Sequence, residues 1–419
     1  MTKIKSVSAI EILDSRGRPT LLVTCRLVDG TVGRASVPSG ASTGGAEALE
    51  LRDNDPARYG GYGCLKAMGH VNNDINVHIA GSNFETQADL DHALIELDGT
   101  PNKSRLGANA ILGVSLAFAR TVAIQQNIEL YQYFAGLSGQ SATLPRPMIN
   151  LFSGGIHGGQ QTAIQDIQLV VPNVDTVQRT LEVISDVYRA AAKRASERYD
   201  MRLLTADEGG LAPPFQSSTD MFVEAVASIE DAGYTPDEDV VLTVDVAASH
   251  FYEGSKYHID GEILDSDAMT DRIAEWCEQF PVISVEDGLA DTDWDAWQGL
   301  YKQIGDDTMV LGDDLLCTNP ERIQRAIDTR SANSLLLKVN QIGTLTEALR
   351  AYQLAREAGW QVVVSARSGE TEDDWLADLA TGVAGDYIKV GSITQSERLA
   401  KYNRLLVLEN ETDLTLASG

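Results

Sequence analysis

Apolar positions follow two different periods along this chain, and the change falls about a third of the way in. Val7 to Leu13, Thr20 to Leu27 and Thr31 to Ser36 read as three strands. Asp14-Ser15-Arg16-Gly17 and Asp29-Gly30 supply the turns of an antiparallel meander. A glycine-rich loop, Pro38 to Gly45, follows, and Glu47 to Asp53 begins a helix or a turn. The small-residue stretch from Gly107 predicts a closely packed helix. Gly136 to Pro147, rich in Gly, Ser and Pro, reads as a linker or entry loop. Beyond it, short apolar runs alternate with amphipathic helices to the end.

The strand candidates there are Arg146 to Phe152, Ile164 to Val171, Arg202 to Ala206, Val240 to Val246, Val282 to Glu286, Met309 to Gly312, Ser334 to Val339, Trp360 to Val364 and Tyr387 to Lys389. Helices predicted over Val174–Glu197, Asp267–Gln279 and Gly343–Ala358 separate several of them. The pattern predicts an α/β fold: an eight-stranded βα (TIM-like) barrel over residues 136–419, its first elements irregular, behind an N-terminal α+β capping domain over residues 1–135. A doubly wound sheet is the competitor. No G-x-G-x-x-G follows a first strand, which disfavours a dinucleotide site.

In a barrel, reactive side chains gather at the carboxyl ends of strands. Those positions here are Asp245, Glu286 and Asp313, then Lys338, then Ser365-Ala366-Arg367-Ser368, then Lys389. Three carboxylates on consecutive strands make a hard-oxygen cage suited to Mg²⁺. Two lysines and an arginine make a cationic rim for an anionic substrate. Any one acid alone serves equally well as a strand cap or ion-pair partner, and a lone lysine as a snorkelling strand end. The acids and the lysine in register argue for chemistry. Desolvation is expected to lower the Lys338 pKa toward that of a working base. Glu208 sits on a glycine-flanked loop expected to follow a strand. His157 sits between Gly154-Gly155 and Gly158-Gly159, a pattern that suits a mobile lid.

Composition narrows the partners. The chain has 419 residues, of which 43% are hydrophobic, enough for a large core. Lys and Arg number 33 against 61 Asp and Glu, a formal charge of -28. That argues against nucleic acid and anionic membrane as partners. No apolar run is expected to span a membrane, and the first residues do not read as a signal peptide. Four scattered cysteines without a CxxC fit reduced thiols and a cytoplasmic location.

Several long segments resemble the enolase (phosphopyruvate hydratase) family. They include Leu13 to Gly17, Pro38 to Gly44, Glu47 to Asp53, Asn102 to Ser104, Gly107 to Leu112, Asp207 to Gly210, Ser284 to Gly288, Gly312 to Leu315, Lys338 to Gly343, Arg367 to Asp373 and Ala400 to Asn403. The resemblance covers essentially the whole chain. It implies that Asp245, Glu286 and Asp313 hold one Mg²⁺, and that Ser39 helps hold a second. It implies Lys338 as base and Glu208 as acid. Lys389 would bind the substrate carboxylate, Arg367 and Ser368 its phosphate, and His157 would close over the phosphate. Enzymes of this family are typically dimeric, and the implied substrate is a small phospho-carboxylate, 2-phosphoglycerate, converted to phosphoenolpyruvate.

The sequence departs from the family pattern at two pocket positions. A histidine of the pattern is Ala366, and a glutamate is Asp166, one methylene shorter. Smaller departures are Ala206, His250 and Arg18. These leave two further readings beside the glycolytic one. The first is an enolase paralogue of phosphonate biosynthesis, carboxyphosphonoenolpyruvate synthase, acting on a phosphono-carboxylate. The second is a non-catalytic, enolase-like binding protein.

Overall fold

Side chains alternate across a strand, so in a closed barrel every second residue points inward. That rule decides which residues reach the site. The structure, a computed structural model, describes residues 2–40, 44–200 and 204–418.

Strands β1 (Ile4–Leu13), β2 (Pro19–Leu27) and β3 (Val32–Ser36) form the antiparallel meander read from the turns. The helix Ala108–Gln126 packs on it so closely that a Cβ on Gly113 would lie 2.4 Å from a Val23 methyl. This helix meets the length and composition of a membrane span, against the sequence expectation that no run approaches one. Its apolar window is 83% buried inside the protein, as a core helix would be.

The barrel is built from β4 (Arg146–Ser153), β5 (Asp166–Val170), β6 (Val241–Asp245), β10 (Val282–Glu286), β11 (Met309–Gly312), β12 (Ser334–Leu337), β13 (Gln361–Ser365) and β14 (Tyr387–Gly391). Between β6 and β10 lies a small antiparallel sheet of β7 (Tyr252–Glu253), β8 (Lys256–Ile259) and β9 (Glu262–Leu264) that the apolar pattern did not announce. The barrel closes with β14 pairing β4, and β5 runs antiparallel to both neighbours. The irregular beginning expected from the sequence is therefore this reversed second strand.

Inside the barrel, Met148, Val170, Val241, Met309, Leu311, Leu336, Val363 and Tyr387 form their own apolar cluster. Leu335 and Leu337 belong to the outer core instead. Two residues after Leu336 comes Lys338, two after Leu311 comes Asp313, and two after Tyr387 comes Lys389. Each lies above this inner plug.

Two expectations differ from the fold, the strand candidate at Arg202 to Ala206 and the loop at 136–147, while of the helix or turn expected at Glu47 the turn is what forms. Nine strand candidates were read, and eight strands close the barrel. Arg202 to Ala206 is not a strand where described: Thr205 makes a single bridge to Leu211, and residues 201–203 lie outside the described residues. Glu208 consequently follows a loop rather than a strand. Glu47 to Asp53 starts in a turn and continues as irregular backbone, with Ala48 N–H donating to Gln341 O and Leu49 N–H to Asn102 O. The stretch 136–147 is structured at both ends, by the helix Leu130–Ser138 and by β4. Within the glycine-rich loop, residues 41–43 lie outside the described residues.

Candidate functional site

The site stands at the carboxyl ends of the parallel strands, where register brings acids and lysines together. Glu286 pairs with Asp245 across β10 and β6, Asp245 with Asp166 across β6 and the reversed β5, and Lys389 with Ser365 across β14 and β13. Simple alternation along β10 would not place Glu286 inward. Ile283 packs against the inner plug, which by parity turns residue 286 outward. A register shift between Val282 and Ser284 re-aims the strand, so that Ser284 and Glu286 join Thr243 and Asp245 on the inner face.

One cavity of about 40 Å³ is lined by His157, Glu208, Asp245, Asp313, Lys338, Ala366, Arg367, Ser368 and Lys389, with Gln165, Asp314, Ser365 and Val390. Asp166 and Glu286 are buried and touch lining residues without lining the cavity themselves. Ser39 sits apart. Its hydroxyl receives Arg52 Nη2 at 2.6 Å and donates to Glu50 at 3.2 Å, and its backbone bridges to Gly369.

Lysines link the acids. Lys389 Nζ donates to Asp245 Oδ2 at 2.8 Å and to Glu286 Oε2 at 2.6 Å. Lys338 Nζ contacts Asp313 Oδ2, whose other oxygen receives Gln341 Nε2 at 2.8 Å. Gln165 Nε2 reaches Asp245 Oδ2 at 3.1 Å. Glu286 Oε1 is buried with no hydrogen-bond partner. An oxygen of that kind, between Asp245 and Asp313 on the flanking strands, fits a hard divalent cation. Among the described residues, donor atoms within 4.8 Å of one another are found in two other sets, Asp287–Asp313–Asp314 and His157–Asp166–Glu208. Asp245 and Glu286 meet through Lys389, and Lys338 holds Asp313.

The electrostatics follow from this crowding. Burial, with Asp245 beside it, pushes the Glu286 carboxyl well above the ordinary range. Burial pushes Asp314 up to about 7, with Asp313 adding to the rise. Burial pulls Lys338 down most, but the acids around it, Asp313 first and then Glu286, together outweigh that, so the amine lies above its ordinary value. The expected depression of Lys338 is therefore not what the protein's own groups produce. Burial raises Glu208, yet His157 and the cations Arg398, Lys389 and Lys338 bring it below the usual range.

Burial opposes the His157 charge, but Glu208 and Asp166 raise its pKa to about 9. A pKa raised from 6.5 gives stability that is fully present below 6.5 and is lost as pH rises through about 9. The melting-temperature gap between the wild type and His157→Gln should accordingly be widest below pH 6.5 and close over that window. Thermal melts across pH check this, and a pH-independent gap would contradict it.

Arg367 is held by Glu47 at 3.2 Å and by Asn340 Oδ1 at 2.9 Å. Ser368 Oγ receives Arg16 Nη1 at 3.0 Å. Reading strand ends alone passed over Gln165, Gln341, Glu47 and Asn340, whose roles need the folded chain. Gln341 and Asn340 lie one turn beyond Lys338, a proximity that could have flagged them.

Asp287 was passed over too, and it clasps three strand ends. Its carboxylate accepts the N–H groups of Asp313 at 3.0 Å and Asp314 at 2.7 Å. Its own N–H donates to Leu311 O, and its carbonyl accepts Ala248 N–H. It does so in the left-handed region, at φ 43°. Asp287→Asn leaves one of those buried N–H groups facing an amide, at a cost of about 1–3 kcal/mol. Because outer partners aim metal ligands, Mg²⁺ affinity should also fall by about tenfold or more. Calorimetric Mg²⁺ titration beside thermal melts checks both; unchanged affinity would sink the clasp.

Residues 4–134 match the family described as Enolase, N-terminal domain, and residues 141–416 match Enolase, C-terminal TIM barrel domain.

Proposed function

The chain belongs to the enolase family, a membership that supports an enolase-superfamily lyase, and from that premise we propose that it abstracts the proton beside a metal-held carboxylate to form an enolpyruvate, with 2-phosphoglycerate as substrate and phosphoenolpyruvate as product. The observation that carries the reading is Lys338 Nζ in the cavity against Asp313, across from the cluster of Lys389, Asp245 and Glu286. Asp245, Glu286 and Asp313 are the residues to hold Mg²⁺, and the family typically uses that ion. Ser39 and the loop beyond it are proposed for a second. The cation supplies positive charge against the substrate carboxylate and the enolate that develops from it.

The chain's own groups do the rest. Lys338 Nζ takes the α-proton. Lys338 would approach a working base once the Asp313 charge that raises it is offset, as it would be if Asp313 held a cation. Lys389 balances charge on the carboxylate, and Arg367 and Ser368 hold the phosphorus group. Glu208 delivers a proton to the leaving hydroxyl. Its low pKa requires that a bound anion first raise it.

One observation favours a second reading, the phosphonate paralogue. Ala366 lines the cavity between Lys389 and Arg367, where the family pattern has a histidine, and leaves room beside the phosphate-binding arginine. A phosphorus group carrying an additional carboxyl would sit there. Retention of Lys338, Glu208 and the three acids speaks against a purely binding role.

The test is exchange of the C2 proton of 2-phosphoglycerate in D2O with Mg²⁺, followed by NMR, together with phosphoenolpyruvate formation. Exchange with dehydration supports the glycolytic reaction. Exchange without dehydration supports the paralogue, and Ala366→His should then raise dehydration. Neither exchange nor Mg²⁺ binding would overturn both catalytic readings.

A further inference from the structure

His157, Asp166 and Glu208 each bring one donor atom to a common point, all within 4.8 Å of one another. Two of the atoms, His157 Nδ1 and Asp166 Oδ2, are buried without a hydrogen-bond partner, on side chains 9% and 0% exposed. They face each other across 3.5 Å. That is long for an N–H···O bond, which prefers about 2.7–3.2 Å. It is close to the spacing of two ligands on one tetrahedral ion, about 3.4 Å for bonds of about 2.0–2.1 Å.

We propose that His157, Asp166 and Glu208 form a binding site for a borderline transition cation such as Zn²⁺, distinct from the site of Asp245, Glu286 and Asp313. Imidazole with two carboxylates suits Zn²⁺, whereas Mg²⁺ takes oxygen ligands. The carboxylates are already aimed: Ser153 Oγ donates to Asp166 Oδ1, and Asn150 Nδ2 to Glu208 Oε2 at 3.1 Å. His157 and Glu208 line the cavity, so the fourth position opens toward it. A glutamate at 166 would carry its carboxylate one methylene further, into the gap that Asp166 leaves. Imidazole ligates a metal in its neutral form, so binding competes with protonation of His157. A filled site also takes Glu208 out of use as an acid; that consequence rests on the proposed lyase reaction, while the binding itself does not.

The experiment is calorimetric titration of ZnCl2 into the full chain saturated with Mg²⁺, at neutral pH, in two buffers of different ionisation enthalpy. One Zn²⁺ per chain should bind, with release of close to one proton. His157→Ala and Asp166→Asn should each weaken binding by about tenfold or more, with melting curves to establish that the variants are folded. Two controls should leave it within about twofold: Glu286→Gln, and His70→Ala, which removes the exposed His70–Asp74 pair. No Zn²⁺ binding, binding indifferent to both His157→Ala and Asp166→Asn, or binding lost with Glu286→Gln or His70→Ala would overturn the site. Zn²⁺ binding that follows His157 in a protein that exchanges no C2 proton would leave the site standing and remove the lyase reading; the reverse result would do the opposite.

Discussion

Lys338→Ala is expected to slow C2 proton exchange of 2-phosphoglycerate by about 10²–10⁴-fold, the range a positioned acid or base contributes. The amine is the basic group that the barrel's period-two pattern delivers into the cavity above Leu336, and it contacts Asp313. Alanine removes it without touching Asp245, Glu286 or the Gln341 bond that still holds Asp313. Mg²⁺ affinity should therefore persist while exchange disappears. NMR exchange and Mg²⁺ calorimetry on the same preparation separate the two. Exchange at wild-type rate would assign the base elsewhere.

Lys389→Met should cost about 3–5 kcal/mol of stability, the range for removing one partner of a buried ion pair. Lys389, Asp245 and Glu286 have side chains 7%, 4% and 2% exposed, so water cannot replace the ammonium. Methionine keeps much of the volume, which leaves the charge as the main change. Without the ammonium, the Glu286 carboxyl, already pushed above its ordinary range by burial and Asp245, would be pushed further up. Denaturant melts check the loss. A divalent cation should recover part of it, since it replaces positive charge between the same acids. A variant as stable as the wild type would show that the three side chains do not act as one charge cluster.

These expectations rest unequally on the chain and on its fold. The βα alternation, the meander and the reactive strand ends were legible because strand and helix periods survive in a linear sequence. Asp245, Asp313, Lys338 and Lys389 were found that way: the last three stand two residues beyond an inward apolar residue, and Asp245 four beyond Val241. The helix at 108–126 was legible as small and apolar, and only its packing against β2 and β3 shows what it covers.

Elsewhere local pattern misled or fell silent. Arg202 to Ala206 has strand composition, but the barrel is already closed by eight others. Ser39 was named through the resemblance alone, and its hydroxyl partners Arg52 and Glu50 are visible only in the folded chain. Lys338 was expected to be depressed by burial, and the acids at neighbouring strand ends, Asp313 first among them, together reverse the sign.

What the sequence determined by itself is the set of side chains and the strands that carry them, since period and residue type are local properties. Tertiary structure decided which way Glu286 points, through a one-residue shift on β10 that alternation cannot reveal. It also decided that Asp166 joins the opposite end of its strand to the rest, because β5 runs backwards. Charge state belongs to the fold as well. A carboxylate or an amine takes its pKa from neighbours brought close by barrel closure, and such neighbours lie far away along the chain, as Lys389 and Asp245 do at 144 residues.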